Sequence, residues 1–70
     1  MPADEQNDND LRVVEAAFAE RVKDLFKTFS EAVYTGEPER DAVVRFRRGF
    51  LSAKRVRDLA LEVAREAAKT

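Results

Sequence analysis

The chain contains neither cysteine nor histidine. Without cysteine there is no disulfide framework and no thiolate metal site. Without histidine the commonest general base and the commonest metal ligand are missing. Glycine and proline number two each, a scarcity that suits helices. No segment approaches a run of about eighteen apolar residues, and the acidic N-terminus is unlike the basic region that opens a signal peptide. Neither a membrane contact nor a secretory leader is expected, and a cytoplasmic location is the simplest expectation.

What is present is a 70-residue chain that is 44% hydrophobic and 39% charged, enough for one small domain with a modest core. The net charge of −1 argues against a wholesale nucleic-acid coat protein, but the signs are unevenly spread. Met1 to Asp10 carries four carboxylates and no basic side chain. Its first nine residues offer too little apolar surface to offset the entropy of ordering them, so 1–9 is expected to be a disordered acidic tail, with a single helical domain over 10–70.

A first helix is expected from a cap at Asn9 or Asp10. Leu11, Val14, Phe18, Val22, Leu25, Phe26, Phe29, Ala32 and Val33 recur mostly at three- and four-residue steps and form one wide apolar face. Arg12, Glu20, Lys23, Asp24, Lys27 and Glu31 fall outside it. Glu20 with Lys23, and Asp24 with Lys27, are spaced to pair along the helix. Gly36 is suited to closing this helix in the left-handed conformation, and Pro38 to the first turn of the next, beside Glu37 and Glu39. So short a corner makes the second arm an antiparallel neighbour.

For the second arm, the apolar phase of 42–50 differs from that of 53–68 by about 90° on a helical wheel. Gly49 is costly inside a helix, Ser52 is a fair N-cap, and Leu51 and Val56 have the spacing of a hydrophobic staple. Two helices, about 38–48 and 52–68, are favoured over one bent helix. The expected fold is therefore all-α: a small bundle of a long helix and an antiparallel arm bent or broken near Gly49–Ser52. The alanine-rich end covers the wide face of the first helix poorly, which points to a homodimer, with a monomeric three-helix fold as the alternative.

Function centres on Asp41 to Asp58, which holds Arg45, Arg47, Arg48, Lys54, Arg55 and Arg57, six of the thirteen basic residues. Phe46, Phe50, Leu51 and Val56 are threaded between them. No phosphate loop, nucleophile elbow or metal-spaced cluster occurs, so no catalytic residue, metal ligand or cofactor is assigned and an enzyme is not expected. Along a continuous helical phase Val44, Arg47, Arg48, Leu51, Lys54 and Arg55 share one side, an apolar centre in a basic rim. That layout suits a larger protein with an acidic and partly apolar surface. A small regulator resembling an antiactivator, antitoxin or inhibitor in size and class is the leading expectation.

The alternative is DNA. LSAKRVRDLA, Leu51 to Ala60, loosely resembles the recognition helix of helix-turn-helix proteins, which would put Lys54, Arg55 and Arg57 on nucleic acid. Arg45 stands where such proteins place a small residue before the turn glycine. A structural oligomerisation module is the third expectation.

Overall fold

Two helices, α1 over Pro2–Tyr34 and α2 over Glu39–Lys69, make up the hairpin. The computed structural model describes the backbone of residues 2–69 and the side chains of residues 8–68. Contacts between the helices fix their direction. Phe29 meets Phe46 with ring centroids 5.0 Å apart, Leu25 meets Gly49, and Phe18 meets Phe50 at 6.2 Å. Numbers rise on α2 as they fall on α1, so the pair is antiparallel, as the short corner requires. The all-α class holds, and no strand occurs among the described residues.

The second arm departs from the favoured expectation. α2 is one helix through Gly49 and Ser52, so Ser52 caps nothing and Leu51 and Val56 form no staple. Packing explains this. A Cβ on Gly49 would stand 2.6 Å from Cδ2 of Leu25, so the missing side chain is what lets the two helices close. The helix-propensity penalty of glycine, about 1 kcal/mol, is offset by that contact. The apolar phase shift has another origin: Val56, Leu59 and Val63 are 65%, 43% and 64% exposed and do not belong to the seam.

The seam itself repeats every eleven residues. Ala42, Ala53 and Ala64 are buried on α2; on α1 the half-buried positions run Leu11, Val22, Val33, with Val14 to Leu25 and Phe18 to Phe29 at the same interval. Eleven residues in three turns is about 3.67 per turn, close to the 3.6 of a straight helix. The seam therefore drifts only slowly round each helix, in the right-handed sense, and the hairpin is elongated. The Cα radius of gyration is 16.1 Å, against about 11 Å for a compact chain of this length.

Four of the five phenylalanines form a line across the seam. Phe46 lies between Phe29 and Phe50, 5.9 Å from the latter, and Phe50 packs edge-on against Phe18. Phe26, expected on the same face, is instead 60% exposed. Among the described residues the buried side chains are all alanine, because two helices enclose a large side chain on only two sides.

The corner closes as expected. Gly36 has φ +88°; its N–H donates to the carbonyl of Val33 at 3.2 Å, and that of Glu37 to Ala32 at 3.0 Å. These are the paired bonds of a Schellman motif. Pro38 sits at the cap of α2 rather than inside its first turn, its carbonyl accepting from Ala42 N–H at 3.2 Å. Glu39 and Asp41 occupy the first turn, and Glu37 pairs with Arg45 across it.

At the other end α1 is helical from Pro2, ahead of the cap expected at Asn9 or Asp10. The backbone of 2–9 thus belongs to α1, and the mobility of that acidic segment stays an expectation of the sequence. Lys23 pairs with Glu20 at 3.4 Å, whereas Asp24 and Lys27 form no ion pair.

Two substitution sets test this packing. Gly49→Leu should destabilise by about 1–3 kcal/mol, because the added side chain meets Leu25; a rise in melting temperature would mean that Gly49 is only a weak point of the helix. Phe46→Ala should cost about 2–3 kcal/mol in a urea titration, below the figure for a fully enclosed ring. Phe26→Ala should change stability by no more than about 0.5 kcal/mol.

Candidate functional site

The continuous α2 presents two neighbouring surfaces. The first is the ridge turned away from α1. Because Ala42, Phe46, Gly49 and Ala53 face α1, the opposite side of the same helix carries Val44, Arg48, Leu51 and Arg55, with Arg47 and Lys54 along one edge. All six are exposed, Val44 by 49% and Leu51 by 57%. The ridge thus brings together all six residues singled out for partner binding. No third helix covers Val44 and Leu51 among the described residues.

The set assigned to nucleic acid is divided. Lys54 and Arg55 are exposed, but Arg57 turns inward. Its guanidinium carbon stands 4.6 Å from the ring centroid of Phe18. Its Nε and Nη2 donate to Oδ1 of Asp58 at 3.2 and 3.1 Å, and its side chain is 25% exposed. The position was legible: Arg57 follows Ala53 by four residues and Phe50 by seven, so it shares their seam. No turn precedes 52–59, since α2 runs through it.

The second surface, which sequence reasoning missed, is a groove of about 740 Å³ along one flank of the hairpin. Val14, Phe18 and Leu25 of α1 and Ala53, Val56 and Ala60 of α2 supply its apolar floor. Arg21 stands on the α1 bank and Arg45, Arg48 and Arg57 on the α2 side, with no carboxylate among the lining residues. A smaller hollow of about 240 Å³ continues toward the corner, sharing Arg21, Leu25 and Arg45 and adding Asp24. The available signal was Val13, Ala17 and Arg21, four apart on one edge of the α1 face, together with the phase shift on α2.

The four arginines differ in what holds them. Arg45 is tied to Glu37 and Arg57 to Asp58. Arg21 and Arg48 have no ion pair among the described residues. Chemically the arrangement is an apolar trough with two uncommitted guanidinium groups on opposite banks. Among the described residues no group of three or more carboxylates is placed to hold a metal ion, and no helix is long and apolar enough to cross a membrane. None of the protein-family models, curated proteins or solved structures compared with the chain matches it.

Because the ridge contributes nothing to the seam, Val44→Asp and Leu51→Asp should each leave the helical circular dichroism signal intact and shift stability by about 0.5 kcal/mol or less. Leu25→Ala, which empties the contact against Gly49, should by contrast cost about 2–3 kcal/mol.

Proposed function

We propose that this chain is a small non-enzymatic regulator that works by binding a larger protein whose contacting surface is acidic and partly apolar. The groove carries the reading: an apolar floor bordered by four arginines and no carboxylate, opening beside the ridge of Val44 and Leu51. Arg48 belongs to both surfaces. Affinity at such a site comes from a desolvated centre, while rim charges mainly steer the encounter.

The free hairpin supports the same reading energetically. Val13, Val56 and Val63 are each about three-fifths exposed, and covering apolar area gains about 25 cal/mol per Å². A homodimer is compatible with this reading, through the exposed Phe26. Phe26 lies, by helical phase, on the flank opposite the groove, so self-association there would leave the groove open.

A photo-crosslinking residue placed at Val56, at Leu51 or at Glu20 in otherwise native chains tests the reading in the native cell. One larger protein, identified by mass spectrometry, should attach at Val56 or Leu51 and not at Glu20. Its attachment at Leu51 should be lost when Val56→Asp is added. Cross-links to second copies alone would overturn the proposal. So would binding of duplex DNA at near-physiological salt that Arg55→Ala plus Arg57→Ala abolishes and Val44→Asp does not.

A further inference from the structure

Resting on that protein-binding reading, we propose that the groove takes a single amphipathic helix, with carboxylates on both sides of its apolar stripe, laid along the hairpin as a third helix. Shape is the first argument. The groove lies between two antiparallel helices, and its α1 bank runs from Val13 to Leu25, about 18 Å at 1.5 Å per residue. That is room for about three helical turns. A trough floored by Val14, Phe18, Leu25 and Val56 receives the apolar stripe of a helix as coiled-coil partners do, with residues at three- and four-residue spacing.

Charge is the second argument, and it selects the occupant. Every charged side chain lining the groove is an arginine. A second copy laid groove to groove would bring its own unpaired Arg21 and Arg48 onto those of the first, at close range and away from bulk water, where like charges repel most. An occupant bearing carboxylates faces the opposite field. Arg45 and Arg57 already have their own carboxylates in Glu37 and Asp58, so Arg21 and Arg48 are the free partners.

Their placement sets a pattern for the occupant. With Leu25 opposite Gly49, Arg48 stands level with Phe26, about five residues or 7 Å beyond Arg21 along the axis. Arg21 and Arg48 are on different helices. The occupant's carboxylates therefore flank its stripe on alternate sides, staggered by somewhat more than one turn, as the flanking positions of a coiled coil are.

Two labelled synthetic peptides of about three heptads test this with the full-length chain. Both carry the same apolar stripe; one has glutamate and the other lysine at the flanking positions. By fluorescence anisotropy near physiological salt, the glutamate peptide should bind at least about tenfold more tightly, and the margin should shrink as salt screens the arginines. Arg21→Glu plus Arg48→Glu should invert the preference, whereas Lys23→Glu plus Lys27→Glu, at exposed positions of α1 outside the groove, should leave the order unchanged. Circular dichroism of both double variants checks that the hairpin persists.

Equal affinity for the two peptides, or a preference that survives Arg21→Glu plus Arg48→Glu, would overturn the proposal. So would a dimer in sedimentation that Val56→Asp abolishes, since the occupant would then be a second copy. The two readings fail separately. A larger protein cross-linked at Val56 with no peptide preference leaves the binding function and removes the acidic helix. Peptide preference with no cellular cross-link keeps the groove chemistry and removes the regulator.

Discussion

The hairpin depends on the close approach at Gly49, where Leu25 occupies the space a side chain would fill, with Cδ2 only 2.6 Å from the position of a Cβ. Two antiparallel rods joined by a short corner gain stability only if their surfaces interlock along the whole length. Alanine supplies thin contacts at Ala42, Ala53 and Ala64, and glycine the thinnest of all. Either side of this pinch the phenylalanines carry the bulk: Phe29 and Phe46 toward the corner, Phe18 and Phe50 away from it. The eleven-residue repeat keeps small residues meeting the facing helix without the supercoil a seven-residue repeat would impose.

The same economy leaves surface uncovered. A helix pair shields each seam residue from two sides, so Phe18 and Leu25 remain half-buried and become floor for the groove. Stability and the proposed binding thus draw on the same side chains. A third helix set in the trough would cover residues that the hairpin leaves partly wet, adding to the fold as it binds.

Much of the architecture was legible in the chain. The wide apolar face of α1, Phe26 excepted, and the Gly36–Pro38 corner follow from local rules, periodicity and backbone conformation, and they stand. The continuity of α2 was not legible from Gly49 alone. Local propensity reads glycine as a break, and only the facing Leu25, distant in sequence, turns it into a packing device. The exposed ridge of Val44, Leu51 and Arg55 was legible once helical phase was carried through Gly49. The groove was not, since it belongs to neither helix and arises from the register that places Val14 and Phe18 near Val56 and Ala60.

Register also sorts the arginines, which composition treats as one basic cluster. Arg57 lies on the seam side of α2, and its guanidinium settles over Phe18, where a cation gains from the ring face and its stem covers apolar surface. Arg45 reaches back over the corner to Glu37 and ties the start of α2 to the turn. Arg47 and Arg55 stand on the outer ridge, in water, where an ion pair would contribute little. Among the described residues lining the groove, only Arg48 and, on α1, Arg21 lack an ion pair beside the apolar floor. Charge next to desolvated surface is what discriminates between partners, because a mismatched neighbour there leaves a charge unpaired. On the proposed reading, selectivity would therefore rest on two of the thirteen basic residues, one on each helix, and only while the hairpin holds them on opposite banks.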